Sequence, residues 1–248
     1  MEKHGKHRSL VTGTPTRAFA LLATLATAPP AWAECRLALA LALDISSSVD
    51  QDEDRLQRVG LARALTAPEV QNAILSVPGE TVALAVFEWS GRYQQDVTLP
   101  WRLLQSREDI LTAAERIRTS RRRYAEFPTA LGYALGYAAS VFAEAPPCLF
   151  QTLDVSGDGV NNDGFAPRLA YENFPLGEIT VNGLSIGGQD DDLAGYYRRE
   201  LIKGPGAFVE EAADFTDFER AMRRKLVREL ETRAIGRATP PAPARRGG

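Results

Sequence analysis

The sequence is short of histidine. Only two of its 248 residues are histidines, His4 and His7, and both lie within the first ten positions. If the leader described below is removed, the remaining chain has none. A chain without histidine cannot use a Ser-His-Asp or Cys-His mechanism, and it offers no imidazole to a zinc ion. The histidine content therefore excludes the most familiar hydrolase mechanisms and zinc sites.

Cysteine is equally scarce, and no long apolar run is present. Two cysteines, Cys35 and Cys148, are too few for a disulfide-dense scaffold. The apolar run over residues 18–28 is too short for a bilayer, which takes about 20 residues to span. With 44% hydrophobic and 25% charged residues, the composition is that of a soluble globular protein.

The first 33 residues are organised like a secretory signal. Four basic residues lie before or at the start of the apolar run at 18–28, namely Lys3, Lys6, Arg8 and Arg17. The tripeptide Ala31-Trp32-Ala33 then supplies the small residues at −3 and −1 that signal peptidase requires. We therefore expect residues 1–33 to be removed and the mature protein to be exported, either to the periplasm or to the medium, without a transmembrane segment.

Cleavage at this point changes the charge balance. It removes four basic residues and Glu2, and it leaves 25 basic and 31 acidic side chains, a net charge of −6. Nucleic-acid binding depends on a basic surface that neutralises phosphates. The mature chain is therefore not expected to have nucleic acid as its main partner.

Apolar stretches and helical patterns alternate along the mature chain. Strand patterns lie at residues 37–43, 81–89, 94–99, 149–155, 179–186 and 207–209. Helical patterns lie at 50–65, 107–118 and 129–143, and in a last helix with one apolar face formed by Phe215, Phe218, Met222, Leu226 and Leu230. The alternation indicates one α/β domain with a mostly parallel sheet and an edge strand at 94–99. The Pro-, Ala- and Arg-rich residues 236–248 are expected to form a disordered tail.

Two of the helices carry more specific expectations. In helix 50–65, Leu56, Val59 and residues 61–65 form the expected apolar face. In helix 129–143, Gly132 and Gly136 lie four residues apart on one side. This segment is too short for a membrane helix, and the glycines favour a buried helix packed closely on the sheet.

Oxygen-bearing side chains follow two strands and begin a helix. Asp44, Ser46 and Ser48 occupy alternate positions after the first strand, Thr129 begins the buried helix, and Asp158 follows the strand that ends near residue 155. In an open α/β sheet, the loops at the carboxyl ends of the strands converge where the strand order reverses. Two carboxylates and three hydroxyls there would be hard ligands, which suit Mg²⁺, Mn²⁺ or Ca²⁺.

These motifs resemble those of a known family. DISSS, Thr129 and SGDG, in this order, look like the metal-ion-dependent adhesion site of von Willebrand factor type A domains. Four further motifs resemble a bacterial secreted branch of that superfamily with no assigned function, namely FEWSG, DVSGDGVNN, VNGLSIGG and GPGAFV. The resemblance covers residues 36–232. It implies a single three-layer, doubly wound domain whose mostly parallel central sheet has one antiparallel edge strand and is flanked by helices.

The resemblance also implies a role for each site residue. Ser46 and Ser48 would bind the metal directly, Asp44 and Asp158 directly or through water, and Thr129 in one of two states. A sixth position would be left for an Asp or Glu of a protein partner. Neutral hydroxyl ligands leave a cation electrophilic, so a partner carboxylate would bind well. Mg²⁺ is the expected ion, with Mn²⁺ or Ca²⁺ as alternatives.

We therefore expect an exported, metal-dependent protein-binding module of the adhesion or scaffold type, without catalytic activity. One alternative is an Mg²⁺-dependent hydrolase using Asp44 or Asp158, although Asp44 lacks a second carboxylate two residues on. Another is a structural domain with a vestigial site. In the simplest alternative, DISSS only caps the following helix, since Asp and Ser are favoured N-caps.

A basic cluster precedes Thr129, and it consists of Arg116, Arg118, Arg121, Arg122 and Arg123. It fits a solvated helix end favoured by the helix dipole. It also fits a surface that attracts and holds an acidic partner beside the metal. Under this second interpretation, the partner-binding residues are Arg121, Arg122 and Arg123.

The family resemblance makes the strands that contain Cys35 and Cys148 neighbours. Cys35 lies nine residues before Asp44, and Cys148 lies ten before Asp158. Both cysteines would then lie at the same level, at the ends of these strands that are opposite the metal. In an oxidising compartment we expect a Cys35–Cys148 disulfide, the alternative being two free buried thiols.

Overall fold

The computed structural model describes Met1, residues 34–187 and residues 192–235. Apart from Met1, the expected signal sequence at residues 1–33 lies outside the described residues, and so does the expected tail at 236–248. Within the described ranges, none of the helices combines the length and the apolarity that are needed to cross a bilayer.

Six strands form one central sheet. They are β1 (Glu34–Asp44), β2 (Glu80–Trp89), β3 (Gln95–Leu104), β4 (Cys148–Gly157), β5 (Thr180–Ile186) and β6 (Val209–Ala212). Their spatial order is β3-β2-β1-β4-β5-β6. Every neighbouring pair is parallel except β2 and β3, so β3 is an antiparallel edge strand. The expected fold class is confirmed, and the last strand lies slightly later than the predicted 207–209.

Helices cover both faces of the sheet. They are α1 (Gln51–Thr66), α2 (Pro68–Ile74), α3 (Arg107–Arg118), α4 (Leu131–Ala143), α5 (Pro167–Asn173), α6 (Leu193–Tyr196), which continues into a π-helical turn (Tyr197–Leu201), and α7 (Phe218–Ile235). The core on one face includes α1, α2, α3 and α7, and the core on the other includes α4, α5 and α6. The short helices α2 and α5 are not in the sequence prediction. Each begins with a proline, which favours the first helical position.

The alternation along β1 explains the two different faces. Leu37, Leu39, Leu41 and Leu43 point to the side of α1 and α7, whereas the alanines between them point to the side of α4. Successive side chains of a strand point to opposite faces. The large leucines fill one interface, and the small alanines allow α4 to approach the sheet closely.

The buried face of α1 is more polar than the sequence suggests. The expectation for Leu56 is wrong, because this side chain is 41% exposed, whereas Asp54, Gln57 and Arg58 are buried. Only the second half of the helix, around Leu61, packs on the leucine side of the sheet. The first half packs near the loops at the carboxyl ends of the strands, where polar groups find partners.

The glycines of α4 do not face the sheet as expected. A Cβ atom on Gly132 would lie 2.0 Å from the carbonyl oxygen of Phe165, and one on Gly136 would lie 3.0 Å from the Phe174 ring. The helix does pack on the sheet, but through its leucines and alanines. The glycine side instead admits the segment around α5.

A buried charge cluster holds α7 against the sheet. Lys225 Nζ lies 3.0 Å from Asp154 Oδ1 and 2.8 Å from Glu229 Oε1, and Asn182 Nδ2 donates to the same Glu229 oxygen at 2.6 Å. Burial raises the pKa of Asp154 to about 7, against the opposing effect of the Lys225 charge. Asp154 therefore ties β4 to α7 and does not face the loops that follow the strands.

The expected disulfide is present. Cys35 and Cys148 are bonded, their Cα atoms are 4.5 Å apart, and they are paired in the register of β1 and β4. The bond joins the two central strands near their amino ends. Asp44 lies at the opposite end of β1.

The disulfide should contribute substantially to stability. It links residues 113 positions apart, so Cys35→Ala/Cys148→Ala should lower the free energy of unfolding by about 2–5 kcal/mol. Urea denaturation measures this loss. Dithiothreitol should destabilise the wild type by a similar amount and leave the double variant unchanged. Two free thiols in the denatured, unreduced wild type would contradict the prediction.

Removing the cation of the α7 cluster should be costly. Lys225→Met leaves two buried carboxylates without their cation, and we expect it to lower the free energy of unfolding by about 3–5 kcal/mol. The matched control removes all three charges with Lys225→Met/Asp154→Asn/Glu229→Gln, and it should recover most of the loss. Chemical denaturation at neutral pH compares the three proteins. A triple variant less stable than the single one would refute this account.

Candidate metal centre

The candidate site lies where the strand order reverses. After β1 the chain continues to β2 on one side of β1, and it later returns to β4 on the other side of β1. In open α/β sheets, this arrangement forms a crevice at the carboxyl ends of the two strands. Asp44 is the last residue of β1, and Asp158 follows the last residue of β4. The two carboxylates therefore belong to adjacent parallel strands.

Hydrogen bonds link four of the five expected ligands. Ser46 and Ser48 have their Oγ atoms 3.0 Å apart, and Ser48 Oγ donates to Asp158 Oδ1 at 2.8 Å. The backbone N–H of Ser46 donates to Asp44 Oδ1 at 2.7 Å. The DISSS segment thus turns back directly after β1 and brings both serine hydroxyls to the carboxylates.

Thr129 reaches the same place from the loop before α4. A Cβ atom on Gly159 would lie 3.7 Å from Thr129 Oγ1, so the threonine hydroxyl faces the residue next to Asp158. The loop is fixed by the segment after β4: Thr129 N donates to Asn162 Oδ1 at 2.9 Å, and Gly132 N donates to Asn161 Oδ1 at 3.2 Å. The structure therefore places all five expected residues around one crevice.

The two carboxylates are buried together. Asp44 is fully buried, and Asp158 is 2% exposed. Burial, and then the charge of Asp158, raises the pKa of Asp44 to about 7, against the opposing hydrogen bond from the Ser46 N–H. Asp44 Oδ2 is buried without a hydrogen-bond partner among the described residues. Such a pair is costly in the absence of a nearby cation.

The donor set suits a hard divalent cation. In the part of the chain that the structure describes, no three His, Cys, Asp or Glu side chains are grouped so that they could hold a metal. The crevice instead combines two carboxylates with three hydroxyls, all of them oxygen donors. Oxygen donors suit Mg²⁺, Mn²⁺ and Ca²⁺. A bound cation would pair with the free oxygen of Asp44, and it would reduce the repulsion between the carboxylates of Asp44 and Asp158. The residues therefore fit the ion.

Gln57 is a supporting residue that the sequence motifs do not indicate. Its Nε2 donates to the main-chain oxygen of Asp44 at 2.8 Å, and its Oε1 accepts from Ser156 Oγ at 3.1 Å. The side chain thus joins the ends of β1 and β4 beneath the site. A signal for this role is present in the sequence, because Gln57 precedes the buried Leu61 and Leu65 at intervals of four on the same helix face.

The three arginines proposed for partner binding have different surroundings. Arg122 donates from Nη2 to the carbonyl oxygens of Ile45 at 2.8 Å and Ser46 at 2.9 Å. It also donates from Nη1 to Val49 O at 2.7 Å, so it holds the main chain of the DISSS loop. Arg123 pairs with Asp96 at 2.9 Å, and Arg121 is exposed.

A second ionic network lies behind this loop. Arg58 Nη2 lies 2.7 Å from Glu88 Oε2 and 2.9 Å from Asp54 Oδ1. The other oxygen of Glu88 accepts from the backbone N–H of Arg123 at 3.0 Å. The network joins α1 and β2 to the segment after α3, and so fixes the position of Arg122.

Comparison with known proteins identifies the family. The profile of a family described as "Protein of unknown function (DUF1194)" matches residues 34–234. The chain belongs to the DUF1194 family. No curated protein matches its sequence.

Solved structures of von Willebrand factor A-like proteins share the fold of this DUF1194 chain. Proximal thread matrix protein 1 from the mussel byssus matches with a TM-score of 0.59 and 17% identity, over 80% of this chain and 48% of that one. A form of the same protein is described with a zinc-occupied MIDAS motif, at a TM-score of 0.58 and 16% identity, over the same shares. A von Willebrand factor type A protein from Catenulispora acidiphila matches with a TM-score of 0.58 and 17% identity, over 79% and 43%.

These matches confirm the expected von Willebrand factor A-like fold. The DUF1194 chain spans less than half the length of the solved structures named above. At these identities the likeness concerns the fold alone.

Two glycines after β4 provide a matched test of the packing under Asp44. A Cβ atom on Gly157 would lie 2.6 Å from the Tyr197 hydroxyl and 2.8 Å from Asp44 Oδ2, whereas one on Gly159 meets nothing closer than 3.7 Å. Gly157→Ala should therefore lower the free energy of unfolding by about 1–3 kcal/mol. Gly159→Ala should be neutral or slightly stabilising. Equal stability of the two variants in thermal denaturation would contradict this geometry.

Proposed function

We propose that this DUF1194 protein is an exported, metal-dependent protein-binding module of the adhesion or scaffold type. Asp44, Ser46, Ser48, Thr129 and Asp158 would hold one divalent cation, and an Asp or Glu of a partner protein would bind to it. The observation that carries the proposal is the buried pair of carboxylates of Asp44 and Asp158, with the hydroxyl of Ser48 donating to Asp158 and one oxygen of Asp44 left unpaired.

The neutral hydroxyls in the donor set favour an acidic partner. Asp44 and Asp158 together supply two negative charges, and Ser46, Ser48 and Thr129 supply none. The two carboxylates balance a divalent cation in total charge, so the attraction for a further carboxylate would come from the neutral hydroxyl ligands, which leave the cation electrophilic at its open position. Ser48 is the half-exposed member of the DISSS ligands, whereas Ser46 is fully buried. A partner would therefore approach on the Ser48 side.

The loop is organised before any partner arrives. The main chain of Ile45 and Ser46 is held by Arg122, and that of Asp44 is held by Gln57. Rigid ligands lose little conformational entropy on binding, so such preorganisation increases affinity.

Mg²⁺ is the proposed ion because it favours oxygen ligands and usually keeps several water ligands, which a partner carboxylate could replace. Mn²⁺ and Ca²⁺ are the alternatives. The zinc-occupied motif described for the mussel protein supports a divalent cation on this fold.

The proposal is for binding and not for hydrolysis. After residue 33 the sequence has no histidine, and its two lysines are Lys203 and Lys225. Lys203 lies over the Tyr171 ring, and Lys225 lies on the buried side of α7, where it pairs with Asp154. Neither is placed to assist Asp44 or Asp158 as a general acid or base. The mussel byssus matrix protein, which shares this fold, supports the same choice.

Export is part of the proposal. The expected signal sequence at residues 1–33 would direct the chain out of the cytoplasm, to the periplasm or the medium. The Cys35–Cys148 disulfide supports this location, since such bonds persist in oxidising compartments.

The middle residue of the DISSS motif provides a control for the metal site. Ser47 is exposed, whereas Ser46 and Ser48 face the carboxylates. Mg²⁺ at 100 times its Kd should raise the free energy of unfolding of the wild type by about 2.7 kcal/mol. For a domain of this size, the melting temperature should then rise by roughly 5–10 °C. Ser47→Ala should keep this shift.

Ser46→Ala and Ser48→Ala should each lose most of the shift, and their combination should abolish it. Differential scanning calorimetry with Mg²⁺, Mn²⁺, Ca²⁺ and EDTA measures the effect and ranks the ions. The proposal fails if no ion raises the melting temperature of the wild type, or if the double variant responds as the wild type does.

A further inference from the structure

A groove runs beside the candidate metal centre. It lies between α1 and the segment that joins α3 to α4, and it has a volume of about 580 Å³. Its charged lining consists of Asp52, Asp54, Arg55, Arg58, Arg118, Arg121 and Arg122. Five arginines and two aspartates thus line one groove in a protein that is acidic as a whole.

The groove lies next to the DISSS loop, and Arg122 contacts both. Arg122 lines the groove, and its guanidinium binds the carbonyl oxygens of Ile45 and Ser46. Gln51 also lines the groove, and it begins α1 only three residues after Ser48. The groove therefore adjoins the loop that carries Ser46 and Ser48.

Two of the arginines have their charge available. Arg58 is paired with Asp54 and Glu88, and Arg118 is paired with Glu115. Arg55 and Arg121 are both exposed, and neither makes an ion pair or a hydrogen bond to another described residue. Their guanidinium groups remain free to bind carboxylates, and the planar fork of arginine suits bidentate binding.

We propose that this groove is the second half of the binding site and takes an acidic peptide segment of the partner. This proposal rests on the metal-dependent function proposed above. One carboxylate of the segment would lie at the cation, and the following carboxylates would pair with Arg55 and Arg121. Asp52 and Asp54 in the same lining disfavour a continuous polyanion such as nucleic acid, because a uniform chain of phosphates would meet them as well. A peptide can place neutral residues there.

The probe for this proposal is a fluorescein-labelled six-residue peptide in which glutamate and serine alternate, and its binding to the full chain is measured by anisotropy. In saturating Mg²⁺ the wild type should bind it, and EDTA should weaken the binding. Arg55→Gln/Arg121→Gln should raise the Kd about fivefold to tenfold and should reduce the salt dependence of binding.

The control makes the same change of charge elsewhere. Arg63 and Arg168 are exposed arginines that do not line the groove, and Arg63→Gln/Arg168→Gln should leave the Kd within twofold. An equal loss in both double variants would mean general attraction between charges, and it would overturn the groove proposal. Tighter, groove-dependent binding of tripolyphosphate than of the glutamate–serine peptide would overturn the peptide as its occupant.

A further variant separates this proposal from the one on which it rests. If Ser48→Ala and EDTA weaken binding but Arg55→Gln/Arg121→Gln does not, the groove proposal is wrong and the metal-dependent function stands. If only the arginine variant weakens binding, the groove stands and the role of the metal is wrong. Failure of the wild type to bind the glutamate–serine peptide in either buffer overturns the groove proposal, and calorimetry decides the metal site independently.

Discussion

The burial of two carboxylates side by side is the constraint on which the rest of the structure depends. Asp44 and Asp158 end adjacent parallel strands, and each lies almost fully inside the protein. Their mutual repulsion and the loss of water both favour protonation of Asp44. A fold that needed only stability would place apolar residues or a paired base here. Keeping two acids together is reasonable when a cation belongs between them.

The surrounding residues hold the site mainly by hydrogen bonds to main-chain atoms, and not by bonds to the two carboxylates. Gln57 and Arg122 both donate to backbone oxygens of the segment from Asp44 to Val49, and Asn162 holds the backbone of Thr129. None of these bonds neutralises an acid. They fix the loops without pairing either carboxylate. The polar first half of α1 belongs to the same support, and this explains why its buried face departs from a simple apolar stripe.

The sequence predicts features that depend on local pattern and misses those that depend on a distant partner. The strands, the reversal of strand order and the convergence of DISSS, Thr129 and Asp158 follow from apolar runs and from the family resemblance. The exposure of Leu56 and the contact of Gly132 with Phe165 do not, because helical periodicity gives a face but not its partner. For the same reason the arginine cluster near residue 121 is visible in the sequence, whereas the different contacts of Arg121, Arg122 and Arg123 are not.

The disulfide and the carboxylates act at opposite ends of the same pair of strands. Cys35 and Cys148 join β1 and β4 covalently near their amino ends, while Asp44 and Asp158 repel each other beyond their carboxyl ends. A register shift of β1 against β4 would separate both pairs, so the covalent bond opposes the shift that the repulsion favours. The strand pair therefore holds its register without a metal. A preformed pair of acids would need no folding step to bind the proposed ion.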